Sequence, residues 1–260
     1  MRVLVLDCTR NKERSLTRHE LLQKIFVTHR SKDLEVTVHS HPRWTNDGVI
    51  KTRPGESFNE NSDTQQLRDE IRREGPFDGV VAFGKEAELV GRYLLLNEHH
   101  QSEDKEPASF QFAIFFDGAL TLDYLMALGI DVPEAAKRVV KIAEDRAERK
   151  LGPLPEHVEG ARRAMFNSDD CFGLNLNKSL PLLKINIPTL HVWSTSDPRF
   201  PRAIQLAGFC NSYLRKTLAH DGKGEVPKDS ETVEKLRELV DWCVRSARWP
   251  GQDSFAAMAA

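Results

Sequence analysis

Three aspartates, a lysine and a histidine stand where short apolar runs end. Asp7 follows the run 3–6, Lys85 follows 77–83, Asp117 follows 110–116, Asp197 follows 188–194, and His220 follows 216–219. Carboxylates facing a lysine and a histidine can supply one acid with a raised pKa and one base, the pair that proton transfer needs. Cys8, beside Asp7, adds a thiol that would be a nucleophile in a pocket and a small buried apolar residue elsewhere. Each group also has a plain structural reading. Aspartates at strand ends cap loops and helices, a lysine at a helix start is solvated, and a lone histidine is often part of the core.

The elements that would position these groups alternate. Runs rich in β-branched and aromatic residues at 3–6, 34–38, 77–83, 110–116, 188–194 and 216–219 read as strands. Between them, helical spacing recurs at 16–28, 63–73, 85–96, 203–214 and 230–247. Strands 3–6 and 110–116 are apolar almost without a break, as expected of strands buried on both faces. The pattern predicts an α/β fold with a mainly parallel, doubly wound sheet, in which strand-end residues gather along one carboxyl edge.

Residues 119–184 differ. They hold helical patterns at 121–128, 133–150 and 155–165 and no convincing strand, which reads as a helical lid inserted over that edge. Segment 42–62 reads as loop, and the small, polar tail 250–260 as frayed. One evenly mixed composition over 260 residues fits a single domain, 1–260.

Composition narrows the partners. With 37 Lys and Arg against 39 Asp and Glu and no basic block, neither nucleic acid nor an anionic membrane is an expected partner. No run approaches the ~20 apolar residues of a membrane span. The apolar start is too short for a signal peptide, and Cys8, Cys171, Cys210 and Cys243 form no close pair, so a reducing, cytoplasmic setting is expected. No glycine-rich phosphate loop is present, so no nucleotide cofactor is expected. His99 and His100 lack metal-ligand spacing, so no metal is expected either. Asp169, Asp170 and Cys171 fall in the lid, and the charged run 137–150 reads as a solvated helix face.

The most informative segment is 75–87, GPFDGVVAFGKEA, with the strand, tight turn and helix of a nucleophile elbow. It resembles the GPFDGVxGFSQGA segment of the family serine hydrolases, a branch of the α/β-hydrolases that includes fungal polyketide-releasing thioesterases. Two further segments follow in the same order. IPTLHVWSTSDP at 187–198 is similar to IPTLHVxGxxDxxV, and HDGKGEVP at 220–227 is similar to HxGGHxVP.

The resemblance implies the α/β-hydrolase fold and an apolar, acyl or polyketide-like small-molecule ligand. It implies that Phe83, Gly84, Cys8, Gly118 and Tyr124 line the binding site. It also marks departures. Gly84 stands for the nucleophilic serine, Gly224 for the catalytic histidine, and Asp197 for the acid. Asp7 and Cys8 replace the His-Gly of the oxyanion loop, and Asp117 replaces a small hydroxyl residue.

Serine attack needs an Oγ, a base within reach and an acid that orients the base. Glycine at 84 and at 224 supplies neither of the first two. The expectation is a degenerate triad, with the turn itself kept because glycine takes positive φ at little cost. Three readings stay open. One is a non-hydrolytic enzyme (cyclase, isomerase, dehydratase or lyase) on an acyl or polyketide-like intermediate of secondary metabolism. The others are a non-catalytic binding or scaffold protein, and a hydrolase using Cys8 or carboxylate-activated water.

Overall fold

The computed structural model describes residues 1–7, 12–26, 35–39, 62–99, 110–149, 151, 184–197, 200–222 and 226–248. The expected helix 155–165, the tail 250–260, Cys8, His100, Asp169, Asp170, Cys171 and Gly224 lie outside them.

In chain order the elements are β1 (Arg2–Leu6), α1 (Lys12–Ile25), β2 (Glu35–His39), α2 (Ser62–Glu74), β3 (Gly79–Phe83), α3 (Lys85–His99) and β4 (Phe112–Phe116). They continue with α4 (Leu122–Ala127), α5 (Glu134–Glu148), β5 (Thr189–Ser194), α6 (Phe200–Gly208), a 3₁₀ turn at Ser212–Leu214, β6 (Arg215–His220) and α7 (Ser230–Arg248). The strands form one six-stranded sheet in the order β2-β1-β3-β4-β5-β6, and every neighbouring pair is parallel. The chain therefore steps from β1 to β2 on one side, then crosses to β3 on the other. In open α/β sheets such a reversal is where ligands bind, here at the carboxyl ends of β1 and β3.

Two cores follow from strand alternation. Val3, Val5, Val81, Phe83, Ile114, Phe116, Leu190 and Val192 point to the face covered by α1 and α7. Leu4, Leu6, Val80, Ala82, Ala113 and Phe115 point to the face covered by α2, α3 and α6. α1 buries Leu21, Leu22 and Ile25, with Phe26 buried just past its end, and α7 buries Leu236, Val240, Cys243 and Val244, each set at helical spacing. Burying each large apolar side chain contributes about 1.5–3 kcal/mol before entropy is counted. β6 is an outer strand: Leu218 and His220 face inward while Lys216, Thr217 and Ala219 are exposed.

Two differences from the sequence reading have local causes. The helix expected over 203–214 ends at Gly208. Arg215 Nη1 donates to Ala207 O at 2.5 Å and Lys184 Nζ donates to Gly208 O at 2.9 Å, so two cations take the last carbonyls of α6. Asn211 then caps the 3₁₀ turn, its Oδ1 accepting from Tyr213 N at 3.1 Å.

The second concerns the stretch expected as a lid. Leu120, Leu125, Ile130, Val132 and Val140 pack into the core on the α3 face, so the described part of that stretch is joined to the main core. Among the described residues, no helix is long and apolar enough to cross a membrane.

Candidate active site at the carboxyl edge

Because all six strands run the same way, their carboxyl ends share one edge, and sheet order sets the sequence of groups along it. Asp7 follows β1, Gly84 follows β3, Asp117 follows β4, Ser194 ends β5 and His220 ends β6. The row is stitched by continuing backbone bonds. Gly84 N donates to Phe116 O at 2.7 Å, Asp117 N to Val192 O at 2.8 Å, and Thr195 N to His220 O at 2.7 Å.

Adjacent strands lie ~4.8 Å apart. Asp7 and His220 are four strands apart along the row, about 19 Å, too far to pass a proton directly. The expected acid–base groups therefore do not form a single cluster.

Gly84 is the centre of this arrangement. It turns β3 into α3 with φ 58°, and Glu88 N donates to its carbonyl at 3.3 Å to begin the helix. Among the described residues, no atom beyond its chain neighbours lies within 4 Å of where a Cβ would stand. The elbow shape expected from the sequence is present, with open space at its apex. Lys85, the first residue of α3, is exposed.

Asp117 is Gly84's neighbour across the β3–β4 pair and also has positive φ, 47°. Aspartate is among the few residues that tolerate this region, which is unfavourable for most side chains. Its Oδ1 accepts from Ser194 N at 3.3 Å. Ser194 is fully buried, donates from Oγ to Gly222 O at 2.5 Å and accepts from Ser196 N at 3.2 Å. Asp197, half-buried, donates its N–H to Ser194 O at 3.2 Å. Ser194 thus ties the ends of β4, β5 and β6 together, a role that the sequence reading did not assign.

Asp7 is buried and ion-paired to Arg18 of α1. The Arg18 guanidinium lies 4.6 Å from the centre of the Phe83 ring, which stacks on Phe116 at 4.7 Å. Phe83, expected to line the pocket, is instead 1% exposed in the α1-side core. Arg18 went unnoticed in sequence, although a signal was there. It sits three and four residues before Leu21 and Leu22, on the stripe that α1 buries, and a buried arginine needs an acid partner.

Gly118 is packed. A Cβ there would stand 2.8 Å from Ala87 Cβ and 2.9 Å from Leu206 Cδ2. Tyr124 lies in α4, whose N-cap Thr121 accepts from Tyr124 N at 3.3 Å. Arg92 lies 4.6 Å from the centre of the Tyr124 ring and donates to Thr121 Oγ1 at 3.0 Å and to Glu88. Burial raises the Tyr124 phenol well above its ordinary value and keeps it protonated.

His220 is buried, and burial lowers its pKa against the opposing pull of Asp229 and Asp221. His191, inside β5 and stacked on Phe115 at 5.1 Å, is pushed down to about 3 by burial and by Arg215. Cys210 is pushed up to about 12 by burial, which makes it a poor nucleophile. Among the described residues, no three His, Cys, Asp or Glu side chains are grouped to hold a metal.

The chain is similar to several known proteins. Esterase FPY3 of Fusarium mangiferae is 26% identical over 178 residues, 68% of this chain and 61% of that protein. The chain therefore spans about three-fifths of that relative's length. Esterase alnB of Emericella nidulans is 21% identical over 204 residues, 68% of this chain and 70% of that one. A monoacylglycerol lipase from Paleococcus ferrophilus superposes with TM-score 0.45 at 14% identity, over 94% of this chain and 93% of the lipase. The serine hydrolase (FSH1) family model matches residues 39–236, more than half of the 260-residue chain. The chain belongs to the serine hydrolase (FSH1) family, on a doubly wound α/β fold with a six-stranded parallel sheet.

Proposed function

We propose that this family member has given up Ser-His-Asp hydrolysis and carries out proton-transfer chemistry on a small acyl or polyketide-like ligand held at the carboxyl edge. Cyclisation, isomerisation, dehydration or retro-aldol cleavage all fall within that class. The observation that carries this reading is Gly84, an elbow apex with φ 58° and, among the described residues, nothing where a side chain would begin. A nucleophile position without a nucleophile leaves room for a ligand's reactive carbon.

Asp117, one strand away, is the acid or base best placed to act there, since it is Gly84's neighbour and Asp7 is committed to Arg18. Positioned proton transfer contributes about 10²–10⁴-fold, and holding the ligand in a reactive shape adds to that. No covalent acyl-enzyme is needed.

The test has two steps. Intact mass is measured after exposure to a fluorophosphonate, with an unmodified chain expected. The protein is then incubated with β-keto acyl thioesters, and products are resolved by mass and retention time. Isomerised, cyclised, dehydrated or cleaved products that vanish in Asp117→Asn support the reading. A stoichiometric phosphonate adduct overturns it.

A second reading, ester or thioester hydrolysis through water activated by a carboxylate, is favoured by the two relatives named as esterases. Release of free acid from the same thioesters, without an adduct, would select it.

A further inference from the structure

His220 closes β6 at the outer side of the sheet and is 5% exposed. Neither ring nitrogen has a hydrogen-bond partner among the described residues. A neutral imidazole carries one donor and one acceptor, and an imidazolium carries two donors and a charge. The buried site suits the neutral ring poorly and the charged ring worse.

The ring lies against Gly222, where a Cβ would come 3.0 Å from Nδ1 and 3.5 Å from Cε1. Glycine at 222 is what allows the chain leaving β6 to fold back over the imidazole. Among the described residues, contacts hold both ends of the β6–α7 connection, including Ser196 Oγ donating to Asp221 O at 2.8 Å. Gly222 O accepts from Ser194 Oγ, and Asp229 caps α7, its Oδ1 accepting from Thr232 N at 2.7 Å and its carbonyl from Val233 N at 3.1 Å. Among the described residues, the charges acting on the ring are Asp229, at the head of α7, and Asp221, just past β6. From β5, the neighbouring residues Ser194, Thr195 and Ser196 carry no charge.

We propose that His220 is a pH-sensitive latch: neutral, it keeps Gly222 packed against its ring and leaves Asp229 on the α7 cap, and protonated, it draws Asp229 from the α7 N-terminus and loosens both contacts. An imidazolium must find an acceptor, and Asp229 can meet it only by competing with its own cap on Thr232. The proposal is independent of whether the pocket turns over a substrate. Burial holds the folded-state pKa below the unfolded value, so the packing is complete above about pH 6.5. It is lost as pH falls from there towards the folded value.

The test is amide hydrogen exchange on the intact protein at pH 7.5 and 5.5, corrected for intrinsic rates. Protection at Gly222, Thr232 and Val233 should fall about tenfold, the change expected for one proton taken up on opening. His220→Asn should abolish that fall. Unchanged protection in the wild type, or the same fall in His220→Asn, overturns the latch. So does an equal fall at Ile114 and Val192, which would mean that the whole domain loosens. Should His220→Asn fail to fold, the wild-type His220 Cε1–H is titrated by NMR. Titration below the ordinary histidine value, in step with exchange at Thr232, supports the latch, and titration at or above that value overturns it.

Discussion

Arg18 reaches from the buried stripe of α1 to the Asp7 carboxylate and covers the Phe83 ring on the way, joining the ends of β1 and β3. Both charges are almost fully buried. Breaking such a pair by removing one partner typically costs about 3–5 kcal/mol, because the survivor is left charged and dry. Replacing both often costs far less. Arg18→Met should therefore be severely destabilised in urea, and Asp7→Leu with Arg18→Met should recover most of that loss. If the double variant were as unstable as the sum of the singles, the pair would not be acting as a unit.

Gly84 makes a prediction about the elbow. A side chain added there meets open space, so its cost is the backbone term for positive φ, about 1 kcal/mol. Gly84→Cys would place a thiol at the head of α3, where the helix dipole favours the thiolate. It should react with iodoacetamide faster than free cysteine, while buried Cys210 and Cys243 stay unlabelled. Wild-type protein labelled in parallel accounts for Cys8 and Cys171. A slow or unreactive thiol at 84 would show that the turn no longer presents its apex to the pocket.

The strands along the chain and most of the helices were legible in sequence because the apolar runs are nearly pure and punctuated by Gly and Pro. Runs such as 110–116 admit little besides a strand buried on both faces. Positions along the carboxyl edge were legible too, since strand ends follow from strand limits. What the spacing alone left hidden was which groups meet across the edge. Asp7 finds Arg18 and Asp117 finds the Ser194 amide through tertiary packing between segments 11 and 77 residues apart. The early end of α6 was missed for a similar reason, because the cations that bind its last carbonyls come from Lys184 and Arg215 on either side in sequence.

Asp117→Asn separates structure from chemistry at the proposed proton-transfer group. Asparagine also tolerates positive φ and keeps an oxygen for the Ser194 N–H. Stability should therefore change by no more than about 0.5 kcal/mol, the scale of a benign substitution. Turnover of any substrate found in the thioester screen should fall about 10²–10⁴-fold. Full activity in this variant would remove Asp117 from the mechanism.

His191 sets the acid side of the stability profile. Buried in β5 and held near pKa 3 by burial and Arg215, it stays neutral in the fold while its unfolded counterpart titrates near 6.5. Unfolding then takes up a proton, so the contribution is complete above about pH 6.5 and is lost as pH falls towards 3, by up to about 1.4 kcal/mol per unit. His191→Phe removes the titration and keeps the stacked contact with Phe115. It also replaces an Nε2 that has no partner among the described residues, so little is lost at neutral pH. Urea unfolding of both proteins at pH 7.5, 6, 5 and 4 should give similar stabilities at the first and a widening advantage for His191→Phe below pH 6.5. Parallel curves across the range would mean that His191 is not the group that sets acid stability, and the search would move to the carboxylates.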